Sequence, residues 1–217
     1  MNLNGLFITF EGPEGAGKTT QIARLEQYLL DRKIPCIVVR EPGGTNIGNL
    51  IRHILLNPEL SEMKQRTEIL LYAASRAQLV EQVIHPALSG GQVILCDRYV
   101  DSSIAYQGYG AMWDINEVMQ VNRIATGGLR PDRTYLLDLP VELGLERIYF
   151  RGVKKDRMEL KEKMFHNRVR EGYLAIAQAE PERFRVIRAN GEIDEVFNQI
   201  LRDFECLLDQ KLLHKPI

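Results

Sequence analysis

The chain has 217 residues, 45% hydrophobic and 26% charged, the balance of one globular domain with its own core. Its formal net charge of −1 leaves no cationic excess to hold a long nucleic-acid backbone, so the expected partners are small molecules rather than nucleic acid. Cys36, Cys96 and Cys206 form no CxxC pair, Met1 to Gly5 carries no basic leader, and no apolar run approaches the roughly 20 residues of a membrane span, so we expect a cytoplasmic protein with free thiols.

In chain order, short β-rich runs alternate with longer segments of helical period. Strands are expected at 6–10, 36–40, 93–97, 134–139 and 184–188. Helices are expected at 17–31, 46–57, 64–88, 115–125, 141–150, 159–179 and 194–211. Runs such as Val93-Ile94-Leu95-Cys96 are continuously apolar, as in parallel strands covered on both faces. The expected fold class is therefore α/β, a three-layer α/β/α domain around a five-stranded parallel sheet. One domain spans 1–217, and the charged break at 151–163 suits a mobile lid.

Gly12-Pro13-Glu14-Gly15-Ala16-Gly17-Lys18-Thr19 matches GxxxxGK[ST] between the first strand and the first helix, where that pattern forms a phosphate-binding P-loop. Glycines let the backbone curl with its N–H groups inward, and the helix start adds partial positive charge. Lys18 then contacts the outer phosphates of a nucleoside triphosphate, Thr19 ligates Mg²⁺, and Thr20 continues the cradle into the helix. The fold is that of the P-loop NTPases. Glu14 is a carboxylate inside an anion cradle, which suits a task such as orienting an acceptor hydroxyl or a metal-bound water. Asp97 ends the third strand at the carboxyl edge of the sheet, where ligands bind in open α/β folds, and is a candidate Mg²⁺ contact. Arg98 beside it can grip a phosphate with its planar fork.

A P-loop alone does not choose among kinases, GTPases and ATPases. The chain has no NKxD tetrapeptide, and no DxxG follows its third strand, which argues against a GTPase switch. Tyr72 and Arg76 stand four apart on one helix face, where a ring can stack on a base while the guanidinium reaches its polar edge. Ser103 and Gln107 share the same spacing, with Tyr106 on an adjoining face. The Pro and Gly residues of 41–45 fix a sharp turn that can bring Glu41 into the cleft.

Four segments together carry a resemblance: Phe10-Glu11-Gly12 leading into the loop, Arg40-Glu41-Pro42-Gly43-Gly44-Thr45, Tyr72-Ala73-Ala74-Ser75-Arg76, and Asp97-Arg98-Tyr99 with Ser102, Ser103, Tyr106 and Gln107. They are similar to bacterial thymidylate kinases, of the P-loop nucleoside monophosphate kinase family. The resemblance implies ATP and dTMP giving ADP and dTDP, with Mg²⁺, in a cytoplasmic homodimer. It implies a dTMP site of Glu41, Arg52, Tyr72, Arg76, Arg98, Ser102, Ser103, Tyr106 and Gln107, with Arg52 on the monophosphate. The loop residues, with Arg147 and Asn190, fall to ATP. Some relatives carry an arginine where this chain has Gly15, so a catalytic arginine is expected from the lid, with Arg151 and Arg157 favoured among Arg147, Lys154 and Lys155. The alternatives are another nucleoside monophosphate kinase and a nucleotide-binding regulatory module.

Overall fold

The computed structural model describes residues 5–150, 152 and 154–213. Five parallel strands, β1 Leu6–Glu11, β2 Cys36–Arg40, β3 Val93–Asp97, β4 Arg133–Asp138 and β5 Phe184–Arg188, form one sheet in the order β2-β3-β1-β4-β5. The helices are α1 Lys18–Asp31, α2 Asn46–Leu56, α3 Gln65–Leu79, α4 His85–Ser89, α5 Val100–Ser103, α6 Ile115–Thr126, α7 Val141–Phe150, α8 Lys163–Ala179 and α9 Ile193–Leu213.

Central β1 is buried along its whole length, and its alternation sets what covers each face. Leu6, Ile8 and Phe10 pack with Leu25 and Leu29 of α1 and with Ile200 and Phe204 of α9. Phe7, on the opposite face, packs with Leu79, Ile84, Ile94 and Tyr99. Each such side chain contributes about 1.5–3 kcal/mol on burial. Glu11 shares the face of Phe7, so the strand carries a carboxylate into that layer. The register pairs both Phe10 and Arg40 with Asp97. The carboxyl ends of β1, β2 and β3 therefore finish level, and the loops that follow them open on one side.

The expected elements are present, with three differences. The helix expected at 64–88 is α3 and α4 joined by a π-helical turn, Val80–Ile84, in which the His85 N–H donates to Val80 O. Pro86 lacks an N–H and its ring needs room at the carbonyl four residues earlier, so the ladder widens there. The helix expected from 159 begins at Lys163, because Asp156 Oδ1 accepts from the N–H groups of Met158 and Glu159 at 2.8 and 2.9 Å and holds a turn instead. A π-helical stretch, Ile104–Gly110, extends α5 in a region outside the expected helices, although Ser103 and Gln107 have the spacing of a helical turn. Its glycines disfavour helix, but Tyr106 packs edge-on against Phe165 and Tyr173 of α8 and holds it. Among the described residues no helix is long and apolar enough to cross a membrane.

Candidate active site

A cleft of about 880 Å³ runs along the carboxyl edge of the sheet, from the start of α1 to α3 and the π-helical stretch. At one end lies the phosphate loop. Gly17 enters α1 at φ 88, and the first turn of that helix has no acidic residue to occupy its N–H groups. Lys18 is buried, with Nζ donating to Gly12 O and Pro13 O, both at 3.0 Å. Burial, and then the charge of Arg98, lower its pKa to about 8. Arg147 braces the loop by donating to Gly15 O at 3.0 Å and to Ala189 O at 3.4 Å. Thr19 Oγ1 donates to Asp97 Oδ2 at 3.2 Å, so the two residues expected at a metal are neighbours. Gly15, Ala16, Gly17 and Thr20 line the cleft with them.

Arg98 occupies the middle. Its Nη1 donates to Gly12 O at 3.1 Å, Tyr173 OH at 3.0 Å and Ser102 Oγ at 3.3 Å, and its Nη2 donates to Glu14 Oε1 at 3.2 Å. Tyr106 OH lies 2.5 Å from both carboxylate oxygens of Glu14, and His166 Nδ1 is 3.7 Å away. Burial pushes the Glu14 carboxyl up, but Arg98, His166, Lys18 and Tyr106 together outweigh it and bring the pKa to about 2. Behind Arg98, Glu11 accepts from the Tyr99 N–H at 2.7 Å, Ser102 Oγ at 2.6 Å and Tyr173 OH at 2.9 Å. Burial, and then Asp101, still raise the Glu11 pKa to about 7.

The far end is built around a fully buried ion pair, Arg76 Nη2 to Glu41 Oε2 at 2.5 Å. Arg76 also donates to Ser103 Oγ at 3.0 Å, Tyr99 O at 3.1 Å and Asn122 Oδ1. Among the described residues, Arg76 Nε and Glu41 Oε1 are buried without hydrogen-bond partners. Tyr72, Gln107 and Arg52 line the same space, with Arg52 Nη1 donating to Pro42 O at 2.8 Å.

Other expected residues sit differently. Gly12 and Pro13 form the base of the loop through their carbonyls rather than lining the cleft. Arg157 is not among the described residues lining the cleft: it is buried, pairs with Glu68 at 2.6 Å and donates to Leu55 O at 2.8 Å, so its charge is engaged by α3 and α2. Lys154 does line the cleft. Asn190 is exposed beyond β5 and is not among the described residues lining the cleft. Arg151 lies outside the described residues. Four contributors were assigned no role from the sequence: Glu11, Glu68, His166 and Tyr173. The last two stand seven apart on the buried face of α8, a spacing that reads as ordinary core.

The thymidylate kinase family model matches residues 10–200. A thymidylate kinase of Exiguobacterium sibiricum is 48% identical over 209 residues, covering 96% of this chain and 98% of the relative. One of Deinococcus radiodurans is 51% identical over 196 residues, covering 90% of this chain and 94% of the relative. A crystal structure of thymidylate kinase from Ehrlichia chaffeensis matches with a TM-score of 0.75 at 31% identity, covering 93% of this chain and 98% of that one. Loop, edge carboxylate and far pocket all fall within the matched span, and the chain belongs to the thymidylate kinase family.

Proposed function

We infer that this chain transfers the γ-phosphoryl group of ATP to dTMP, giving ADP and dTDP, with Mg²⁺ at the donor phosphates. The observation that carries the reading is a cleft with two unlike ends and Arg98 between them. One end is an anion cradle with Lys18. The other is lined by the buried Arg76–Glu41 pair with Tyr72, Ser103 and Gln107 beside it, a mix of ring and polar groups that suits a nucleoside base.

The acceptor phosphate is already anionic, so its oxygen attacks without a protein base, and the protein supplies alignment and charge compensation. Lys18 and the loop N–H groups hold the donor phosphates. Arg98 and Arg52 hold the acceptor phosphate in line with them. Glu14 is kept ionised and fixed by Arg98 and Tyr106, and it orients the acceptor at the mouth of the loop. Tyr72 stacks on the base, Arg76 and Gln107 meet its polar edge, and Ser102 and Ser103 hold Arg98 and Arg76 in register. The oxygens of Thr19 and Asp97, 3.2 Å apart, are the hard donors that Mg²⁺ takes, and they are the residues that would hold it. When bound, the ion neutralises charge on the phosphate oxygens. Lys154, which lines the cleft ahead of the anchored Arg157, is the lid cation that meets the donor phosphates.

The same reading makes the enzyme a homodimer. Ile47, Leu50 and Ile54 on α2 and Leu70 on α3 form an exposed apolar stripe of the kind a subunit contact covers. Purified protein with ATP, Mg²⁺ and a panel of monophosphates tests the activity: ADP release that depends on dTMP supports it, and equal release with and without acceptor overturns it. Sedimentation equilibrium tests the dimer.

A further inference from the structure

Gln107 Nε2 donates to Glu68 Oε1 at 2.9 Å, and Arg157 Nη1 lies 2.6 Å from Glu68 Oε2. All three side chains are buried. Arg157 is itself anchored, through Nε to Leu55 O at 2.8 Å and through its backbone N–H to Leu56 O at 3.2 Å. Moving it away would leave a buried charge unpaired. A carboxylate held by a guanidinium offers acceptors only, so the group that Gln107 turns toward it must be the NH₂. What Gln107 then turns to the cleft, which it lines beside Tyr72 and Ser103, is its carbonyl oxygen.

We propose that Glu68 is a positioning residue for base selection. By holding the Gln107 amide with its carbonyl toward the cleft, it makes the pocket accept a ring N–H, as in thymine or uracil, and refuse a ring nitrogen that is itself an acceptor, as in cytosine. The proposal rests on the assignment of this end of the cleft to the dTMP base. Glu68, Tyr72 and Arg76 follow one another at intervals of four on α3, so one helix face sets the orientation of the amide, the stacking surface and the polar edge. A cytosine in that place puts acceptor against acceptor in a buried site, a mismatch that discriminates by orders of magnitude.

Glu68→Gln is nearly isosteric and inverts the polarity. Arg157 still demands an oxygen, so the new amide turns its NH₂ to Gln107, which flips and faces its own NH₂ to the cleft. The expected result is a fall of roughly tenfold or more in the dTMP to dCMP ratio of kcat/KM, through a higher KM for dTMP, together with a lower thermal midpoint because the buried Arg157 loses its countercharge. Adding Arg157→Leu removes the demand for an oxygen and restores the preference for dTMP. A ratio unchanged in Glu68→Gln, or an equal loss on both acceptors, overturns the proposal. Should Glu68→Gln fail to fold, wild-type enzyme decides with N3-methyl-dTMP, which lacks the ring N–H. A drop of roughly a hundredfold or more in kcat/KM is expected, and undiminished use overturns the proposal. Wild-type enzyme that does not use dTMP at all sinks the functional reading itself.

Discussion

Arg98 and Glu14 meet across the mouth of the phosphate loop, Nη2 to Oε1 at 3.2 Å, joining the residue after β3 to the interior of the loop after β1. The Arg98 backbone sits at φ 69, a left-handed conformation that is uncommon for a residue with a side chain. Its other nitrogen is bonded to Gly12 O, Ser102 Oγ and Tyr173 OH. Strained backbone and bonded fork together fix one cation in the cleft beside the phosphate loop, where the proposed reading brings donor and acceptor phosphates together. Arg98→Ala should therefore lower kcat/KM for dTMP by about 10²–10³, with the KM for ATP changed only a few-fold. Steady-state kinetics decide, and unaltered dTMP parameters remove Arg98 from the site.

Lys18 gives a prediction in protons. Its pKa is lowered to about 8, first by burial and then by Arg98, and its Nζ rests on two loop carbonyls. Triphosphate oxygens bring negative charge and favour the protonated amine, so ATP binding takes up protons at about pH 8. Calorimetry in two buffers of different ionisation enthalpy measures that uptake. We expect it in wild type and not in Lys18→Ala, which also loses turnover by orders of magnitude while remaining folded. Equal uptake in both would assign the titration to another group.

The fold was legible because it rests on features local to the chain. Val93-Ile94-Leu95-Cys96 reads as a strand covered on both faces, and the loop declares itself between a strand and a helix. The lining of the cleft was legible where a residue sits on a loop or a helix start at the carboxyl edge of the sheet, as with Lys18, Asp97 and Arg98. It was not legible where a role depends on partners remote in sequence. Arg157 was expected as a catalytic arginine of the lid, and only the fold brings Glu68 and Leu55 O to it. Glu11 was given no role of its own within the Phe10-Glu11-Gly12 segment, although it holds Ser102 and Tyr173 behind Arg98. Tyr173 and His166 share a helix face with Val169 and look like core, because burial and function use the same face there.

The two carboxylates flanking Arg98 shift stability with pH in opposite directions. Glu11, raised from 4.5 to about 7, keeps its proton in the folded chain where the unfolded chain has lost it, so its contribution declines as pH rises through that window. Glu14, lowered from 4.5 to about 2, contributes stability that is present above 4.5 and lost as pH falls toward 2. Glu11→Gln should flatten the decline between 4.5 and about 7, and Glu14→Gln should flatten the loss below 4.5. Denaturant midpoints measured across both windows check this. Variant curves parallel to wild type throughout would show that neither group carries the linkage.

Gly144 tests how firmly the loop is held. A Cβ there would collide with Glu14 O, and one on Gly15 would meet Gly144 O at 2.6 Å, so the backbones of the loop and of α7 touch with nothing between them. Gly15 also sits at φ +71, which leaves two separate obstacles to the arginine that some relatives carry at that position. At Gly144 the obstacle is a carbonyl of the cradle itself rather than the end of a flexible side chain, so a methyl group there must displace the loop. Because the directions of the loop N–H groups set the donor site, Gly144→Ala should raise the KM for ATP by about tenfold or more. The KM for dTMP depends on the far end of the cleft and should stay near wild type. An ATP KM that does not move would mean that α7, not the loop, absorbs the displacement, and that the loop draws none of its shape from this contact.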